Sequence, residues 1–305
     1  MEKSMEKSMI DRLAELKKEK NAVILAHNYQ IDEVQDAADH VGDSFELSKI
    51  AADIKAEVIV FCGVHFMAES AKILAPEKTV ILPEEMAGCP LADMALPEKV
   101  REKKKEYPEA AVACYINTSA AVKAECDVCV TSANAVKIID NYPAKEFLFV
   151  PDQNLAHYIS RNVDKIIIPW EGYCITHHRV TGEDARKARK AIPDTVLMVH
   201  PECKPEVVEE ADEVLGTGGM LGYARESKDS KFIIGTELGL IYRLKKENPE
   251  KDFYLLSAHM ICPNMKLINL QKVIHSLESM APEIQVPEEI RVKAKVCLDR
   301  MMEYS

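Results

Sequence analysis

Short apolar runs rich in β-branched residues alternate along the chain with longer segments that mix apolar and charged positions. The short runs are typical of buried strands, and the longer segments have the length and spacing of helices. Strands that alternate with helices in this way indicate a parallel sheet built from βα units. We therefore predict an α/β fold.

The strand pattern repeats along the chain. The runs VILAHNY, AVACYIN and VLMVHPE begin at residues 23, 111 and 196, and each ends in a polar pair spaced two apart. At the same offsets, DHVGDS, DVCVTS and DEVLGT begin with Asp39, Asp127 and Asp212. VIVFCG, EFLFVP and KFIIGT then follow from residues 58, 146 and 231 in the same register. Self-similarity over several strands indicates a repeated structural unit.

A fourth apolar run in each copy leads into a cysteine, at Cys89, Cys174 and Cys262. We predict three repeated three-layer α/β sandwiches with small parallel sheets, arranged with pseudo-threefold symmetry around a central site. The expected boundaries are residues 1–89 together with the helical tail 264–305 for the first repeat, 90–174 for the second and 175–263 for the third.

Ligands of open parallel sheets bind beyond the carboxyl ends of the strands, and this rule selects the candidate site residues. The ends of the first strands carry His27 and Tyr29, Tyr115 and Asn117, and His200 and Glu202. The ends of the second strands carry Ser44, Ser132 and Thr217, and the ends of the fourth strands carry the three cysteines. Pseudo-threefold symmetry would point these ends at one shared site.

Each candidate also has a purely structural interpretation. A serine or threonine that opens a helix is commonly an N-cap, although the same turn presents N–H groups suited to a carboxylate or phosphate. A lone cysteine after a strand is often a small buried hydrophobe, and a histidine can be a satisfied core residue. Placement at equivalent positions of three repeats favours a functional role, because packing alone does not require the same chemistry three times.

Three thiolates leave one position open on a metal centre. Structural zinc normally has four protein ligands, and electron-transfer clusters are normally held by four cysteines. Three cysteines therefore suit either a [4Fe–4S] cluster with one iron not ligated by protein or a catalytic zinc. The remaining cysteines, which include the only C-x-x-C pair, have no equivalents in the other copies, and we assign them to packing: Cys62, Cys114, Cys126, Cys129, Cys203 and Cys297.

The composition narrows the functional classes. The 305 residues include 39 Lys and Arg against 50 Asp and Glu, giving a net charge of −11, which disfavours binding to nucleic acid or an anionic membrane. No apolar run is long enough to span a bilayer, and residues 1–9, MEKSMEKSM, do not resemble a signal peptide. Nine cysteines without an export signal are expected to be reduced thiols or metal ligands. We therefore expect a soluble cytoplasmic protein.

Several longer motifs resemble those of the quinolinate synthase family. They cover most of the chain: AHNYQ at 26–30, CYINTSA at 114–120, TSAN at 131–134, PWEGYCITHH at 169–178, HPEC at 200–203, GTGGM at 216–220 and MICPNMK at 260–266. The resemblance implies a threefold set of α/β domains around a central [4Fe–4S] cluster. It also implies condensation of iminoaspartate with dihydroxyacetone phosphate to quinolinate, with loss of phosphate and water, in NAD biosynthesis.

The same resemblance assigns roles to the candidate residues. Cys89, Cys174 and Cys262 would ligate the cluster, and Tyr29, His200 and Glu202 would be catalytic. The substrate site would be lined by His27, Ser44, Tyr115, Asn117, Ser132, His177, His200, Glu202 and Thr217. The implied partners are the two small-molecule substrates and, functionally, an enzyme that produces iminoaspartate from aspartate.

Two other classes of protein would use the same thiols. A zinc-dependent lyase would hold its metal with Cys89, Cys174 and Cys262, and metal content distinguishes it from an iron–sulfur enzyme. A cluster carrier or redox sensor would not need His, Tyr, Asn and Glu at equivalent strand ends, so their presence counts against that class.

Overall fold

The computed structural model describes residues 2–305, and in this part of the chain the strands form three parallel sheets of four strands each. The first sheet contains β1 (Ala22–His27), β2 (His40–Gly42), β3 (Val58–Cys62) and β4 (Thr79–Ile81). The second contains β5 (Ala111–Tyr115), β6 (Val128–Val130), β7 (Glu146–Val150) and β8 (Ile166–Pro169). The third contains β9 (Val196–Val199), β10 (Glu213–Val214), β11 (Lys231–Gly235) and β12 (Asp252–Leu255).

The three sheets share one topology. Their strand orders are β2-β1-β3-β4, β6-β5-β7-β8 and β10-β9-β11-β12, so the first strand of each copy lies between the second and the third. Corresponding strands pair in parallel. The predicted α/β class with three repeated small parallel sheets is therefore confirmed.

Helices connect the strands and flank each sheet. Those of the first two repeats are α1 (Glu2–Glu19), α2 (Asp32–Ala37), α3 (Ser44–Asp53), α4 (His65–Leu74), α5 (Pro90–Asp93), α6 (Pro97–Glu106), α7 (Ala120–Lys123), α8 (Ala135–Asn141) and α9 (Gln153–Ser160). The later ones are α10 (Ile175–His178), α11 (Gly182–Ala191), α12 (Pro205–Val208), α13 (Thr217–Glu226), α14 (Gly239–Glu247), a 3₁₀ turn (Asn264–Leu267), α15 (Leu270–Ser279) and α16 (Glu288–Tyr304). No helix in residues 2–305 is long and apolar enough to cross a membrane.

The described chain divides into two compact units. The first contains the residues up to Cys89 together with 263–291, and the second contains residues 90–262 together with 292–305. The first unit therefore holds the first sheet, and the second unit holds the other two. Within the second unit, Leu197 and Val199 of β9 and Ile233 of β11 pack with Val180 and Met260 in one buried core.

An aspartate joins the first two strands of every repeat in the same way. The Oδ2 atoms of Asp39, Asp127 and Asp212 accept hydrogen bonds from the backbone N–H groups of Ile24, Val112 and Leu197, at 2.8, 2.8 and 2.7 Å. The backbone N–H of each aspartate returns a bond to the carbonyl of the same strand residue. A basic side chain approaches each carboxylate, from Lys17, Arg300 and Arg189 respectively. The aspartates that align in the sequence repeat thus occupy one structural position.

We expect Asp212→Ala to destabilise the fold by about 1–3 kcal/mol, because the Leu197 N–H loses a charged acceptor inside the sheet. Urea unfolding at neutral pH, followed by circular dichroism, measures this change in free energy. The matched control is Asp164→Ala, since Asp164 is exposed in a loop of the same unit. Equal unfolding midpoints for the Asp212 and Asp164 variants would show that the hydrogen bond contributes nothing.

Candidate active site

The first unit holds four of the candidate residues. His27 ends β1, and its ring contacts that of Tyr29 edge to face, with centroids 4.6 Å apart. The Lys266 ammonium donates a hydrogen bond to the backbone carbonyl of Tyr29, which fixes the loop that carries this side chain. Ser44 is the first residue of α3, and Cys89 follows β4.

The three cysteines lie in the same local backbone structure. In each repeat, a backbone N–H at the start of the helix after the third strand donates to a carbonyl two residues before the cysteine. The bonds run from His65 to Ala87, from Gln153 to Gly172 and from Leu238 to Met260, at 2.8, 2.8 and 2.9 Å. Any other residue at position 172 would force the backbone to move, because its Cβ would lie 2.3 Å from the carbonyl oxygen of Pro151.

The hydroxyl residues at the second strand ends are not the N-caps of the helices that follow them. The cap of α3 is Asp43, whose carboxylate accepts from the N–H groups of Phe45 and Glu46. The cap of α13 is Gly216, and that of α8 is Asn134. The structural interpretation of Ser44, Ser132 and Thr217 as N-caps is therefore wrong, which leaves their hydroxyls for other partners.

Glu202 is the centre of a buried polar cluster in the second unit. Its Oε2 atom lies 3.2 Å from Nδ1 of His177 and 3.2 Å from Nδ1 of His200. The two imidazole rings stack on each other with centroids 4.7 Å apart. The side chains of Glu202, His177 and His200 are each at least 97% buried, so this is an interior network of polar groups.

The cluster extends outward through both histidines. Nε2 of His177 lies 2.9 Å from Oγ1 of Thr236, and Nε2 of His200 lies 3.1 Å from Oγ of Ser132. Nδ1 of His177 is also 3.2 Å from Sγ of Cys174. The ligand atoms of Cys174, His177 and Glu202 all lie within 4.8 Å of one another, a spacing that could hold a metal ion.

The loop before α13 approaches Ser132 closely. A Cβ on Gly216 would lie 2.9 Å from Oγ of Ser132. The absence of a side chain at Gly216 therefore lets this loop of the third repeat lie close to Ser132 of the second repeat. Thr217, the first residue of α13, is buried. Tyr115 is the last residue of β5, and Asn117 lies two residues after it. Tyr115 is the register partner of Val130 in β6, and Val130 lies two residues before Ser132. The second and third repeats thus present their predicted residues on adjoining loops.

Two buried carboxylates accept hydrogen bonds from the backbone N–H groups of two of the cysteines. The sequence interpretation did not identify these carboxylates. Asp152 Oδ2 accepts from the backbone N–H of Cys174 at 3.1 Å, and Glu237 Oε1 accepts from that of Cys262 at 3.0 Å. The second oxygen of each accepts from the start of the next helix, at Leu155 and Gly239. Asp152 and Glu237 are 85 residues apart, the offset between the second and third repeats. Inspection of the third strand ends could therefore have found them.

The electrostatics of the cluster are dominated by burial and by the two histidines. Burial opposes ionisation of Glu202, but the charges and hydrogen bonds of His177 and His200 outweigh it and hold the pKa of Glu202 well below its usual range. Burial, reinforced by the charge of Glu202, raises the pKa of Asp152 well above its usual range. Glu202 is thus an anion at neutral pH.

One oxygen of Glu202 has no hydrogen-bond partner among the described residues. This atom is Oε1, and it is buried. An unsatisfied carboxylate oxygen in the interior is costly unless a ligand or a transferred proton completes it. Since Oε2 is fixed by the histidines, the two oxygens of this carboxylate differ in their surroundings.

Comparisons with known proteins identify the family of this chain. Residues 11–303 match the model of the family described as Quinolinate synthetase A protein. A quinolinate synthase from Caldicellulosiruptor saccharolyticus is 54% identical over 294 residues, 96% of this chain and 97% of that protein. The quinolinate synthase of Methanosarcina barkeri is 52% identical over 96% of this chain and 97% of that protein. The quinolinate synthase of Geobacter metallireducens is 52% identical over 94% of this chain and 94% of that protein. On this similarity, which extends over nearly its whole length, the chain belongs to the quinolinate synthase family of enzymes.

Proposed function

We propose that this enzyme condenses iminoaspartate with dihydroxyacetone phosphate to form quinolinate, with loss of phosphate and water. The observation that carries the proposal is the buried cluster of Glu202, His177 and His200 beside Cys174, in a chain that belongs to this family. The place of the reaction is NAD biosynthesis, which requires an enzyme that supplies iminoaspartate from aspartate.

Cys89, Cys174 and Cys262 are the proposed ligands of a [4Fe–4S] cluster. Their shared local backbone structure supports this set, because three equivalent loops present three equivalent thiols. Thiolates are the preferred ligands of iron–sulfur centres, and three of them leave one of four irons without a protein ligand. When bound, such a cluster supplies an open iron that acts as a Lewis acid toward a substrate oxygen.

Binding of two anionic substrates by an acidic chain needs local positive potential. The start of α13, which carries Thr217, has no side-chain cap and presents its backbone N–H groups. At the start of α3, beside Ser44, the Asp43 carboxylate already accepts from two of these groups, so Ser44 would contribute through its hydroxyl. His27 and His200 add groups that can donate hydrogen bonds to carboxylate or phosphate oxygens. Ser132, Tyr115 and Asn117 supply neutral donors from the second repeat.

Proton transfer is the proposed task of Glu202, with Tyr29 and His200 as further catalytic groups. Condensation and ring closure each move protons between carbon, nitrogen and oxygen, so they need a fixed acceptor. His177 and His200 hold Oε2 of Glu202 and orient Oε1 for this exchange. His200 can relay a proton onward, because its other nitrogen contacts the Ser132 hydroxyl.

The alternative is a zinc-dependent lyase that holds its metal with Cys89, Cys174 and Cys262. The spacing of the ligand atoms of Cys174, His177 and Glu202 offers a second set of ligands for such a metal. A thiolate, an imidazole and a carboxylate form an ordinary catalytic zinc set that leaves one position open. In that case Glu202 would be a metal ligand rather than a proton acceptor.

Metal analysis together with product formation tests the proposal. We expect anaerobically purified protein to contain about four iron and four sulfide ions per chain and to form quinolinate from iminoaspartate and dihydroxyacetone phosphate. Activity should fall in air and return after reconstitution with iron, sulfide and a thiol, because an iron without a protein ligand is open to oxidation. Full activity of iron-free, zinc-loaded protein would establish the zinc lyase instead.

A further inference from the structure

The second unit contains a cavity that is lined by none of the proposed catalytic or substrate-binding residues. Its volume is about 680 Å³, and it lies between α9 and β8 of the second repeat and the loop before α12 of the third. All of its lining residues belong to the second unit. Sites for small molecules usually have volumes of about 300–1,000 Å³. This cavity therefore has room for a small organic molecule.

His178 presents a fixed hydrogen-bond donor to the cavity. Its ring stacks on that of Tyr173, with centroids 4.2 Å apart. Nδ2 of Asn154 lies 3.1 Å from Nδ1 of His178 and 3.0 Å from the backbone carbonyl oxygen of Glu202. A carbonyl only accepts, so this amide nitrogen donates to both partners, and Nδ1 of His178 is an acceptor. The proton of the neutral ring is therefore on Nε2, which has no hydrogen-bond partner among the described residues.

Lys204 supplies a positive charge to the same cavity. It is half-buried, directly precedes α12, and forms no ion pair with any residue in the described part of the chain. The one carboxylate of the lining is that of Glu206, which is exposed and therefore screened more strongly by water and salt. The partly shielded ammonium thus favours an anionic group beside Lys204.

The opposite character is found on the wall that β8 forms. Ile167 and Pro169 of this strand line the cavity, and Pro205 lies next to Lys204. These side chains cannot form hydrogen bonds, so they favour contact with an apolar surface such as a planar ring. The lining therefore combines one ammonium and one N–H donor with an apolar wall.

We propose that this cavity binds a small organic anion, a carboxylate or a phosphate monoester carried on a planar ring. Lys204 and the Nε2–H group of His178 bind the anionic group, and the ring packs against Ile167, Pro169 and Pro205. This site is additional to the one proposed for the substrates of quinolinate formation.

One amide joins the proposed site to the catalytic cluster. Asn154 lines the cavity and donates to the main chain of Glu202. Asp152, two residues earlier, accepts from the backbone N–H of Cys174. The cavity thus borders the loop of the proposed proton acceptor without including any of the proposed substrate-binding side chains.

Calorimetric titration of the cluster-loaded enzyme with phenyl phosphate and with benzoate, under anaerobic conditions, tests the site. The two probes share a ring and differ in the anion, so their affinities show whether a phosphate or a carboxylate is preferred. We expect at least one of them to bind with a Kd of about 1 mM or lower. Benzamide has the shape of benzoate without its charge, and it should bind at least about tenfold more weakly.

Substitutions assign the measured binding to this cavity. Lys204→Met should weaken the binding of the preferred probe at least about tenfold, because the anion loses a charged donor. Glu206→Gln should strengthen it, because a negative charge is removed from the rim. Lys190→Met is the matched control: Lys190 is an exposed residue of α11 in the same unit, and its loss changes the net charge equally. This variant should bind the probe as the wild type does.

Four results would overturn the proposal. They are no saturable binding of either probe, unchanged affinity in Lys204→Met, equal losses in Lys204→Met and Lys190→Met, and weaker binding in Glu206→Gln. If Lys204→Met does not fold, the affinity change in Glu206→Gln still decides, because this side chain is exposed. None of these measurements uses quinolinate formation, so the site can fail while the proposed reaction stands, or the reverse.

Discussion

Cys174→Ser is expected to abolish both the iron–sulfur absorbance and quinolinate formation. Serine keeps the size of the side chain but replaces a soft thiolate by a hydroxyl that binds iron poorly. With only three proposed thiolate ligands, the loss of one leaves two, and the cluster does not survive purification. Cys174 also lies 3.2 Å from Nδ1 of His177, so the substitution changes the group beside Glu202. Visible absorption, iron and sulfide content and product formation under anaerobic conditions measure the effect.

Cys129→Ser is the matched control for this experiment. Cys129 is a buried cysteine of the same unit, in β6, and no ligand role is proposed for it. The Cys129→Ser variant should keep the cluster and most of the activity. Cys89→Ser and Cys262→Ser should behave like Cys174→Ser if the repeat defines the ligand set. A chromophore that is lost in Cys129→Ser and kept in Cys174→Ser would show that the ligands were assigned to the wrong cysteines.

The repeat architecture could be predicted from sequence because each strand is short, apolar and covered on both faces. In β1 and β3, nearly every residue is buried, so the strands read as continuous apolar runs that can be aligned between copies. The aspartates at 39, 127 and 212 align because each forms the same hydrogen bond to the first strand. Because the same local geometry recurs three times, the residues that form it can be recognised by comparing the three copies in the sequence. A single copy would not reveal them.

The polar cluster could be predicted only in part. The strand-end rule selected Ser132, His200 and Glu202, and the structure joins them through direct contacts. Asp152 was missed because a carboxylate after a strand resembles an ordinary N-cap, which it also is, for α9. The Cys174 backbone bond that it accepts depends on a loop 22 residues away, which no local pattern describes.

The contact between Cys114 and Cys297, whose Sγ atoms lie 3.5 Å apart, was beyond sequence reasoning for a similar reason. Neither residue has a repeat equivalent, and their contact depends on how α16 packs on the second sheet. Burial of Cys114, Cys129 and Cys297 agrees with the packing role that the sequence predicted. Burial does not reveal that three lone thiols and the nearby Cys126 share one place, because side-chain direction across a helix and a sheet is a tertiary property.

The surroundings of Glu202 change the interpretation of its role. A glutamate at a strand end can be a catalytic base or one partner of an ion pair with a nearby basic residue. In the structure, the Nδ1 atoms of two histidines lie against one oxygen, and the other oxygen has no hydrogen-bond partner among the described residues. We therefore propose that the two oxygens differ in their task, with Oε2 held by the histidines and Oε1 as the atom that takes the proton.

Glu202→Gln is expected to lower the turnover number for quinolinate formation by at least about a hundredfold. The amide keeps the shape of the side chain but cannot accept a proton at neutral pH. It also removes the negative charge that His177 and His200 now share, so the orientation of both rings is weakened. Removal of a negative charge from a site for two anionic substrates should leave KM similar or lower it. Steady-state kinetics under anaerobic conditions, with the iron–sulfur spectrum recorded on the same samples, measures both effects.

Glu209→Gln and Glu202→Asp make the result specific. Glu209 is an exposed carboxylate seven residues further along the chain, and its amide variant should keep wild-type turnover. Aspartate at position 202 keeps the charge but is one methylene shorter, so it should lie between wild type and Glu202→Gln in turnover if proton transfer from a fixed position is the role. Near-normal turnover of Glu202→Gln with an intact cluster would remove Glu202 from the mechanism. The proton would then have to pass to Tyr29 or to one of the histidines, and the buried ion pair would be a structural feature that positions His177 and His200.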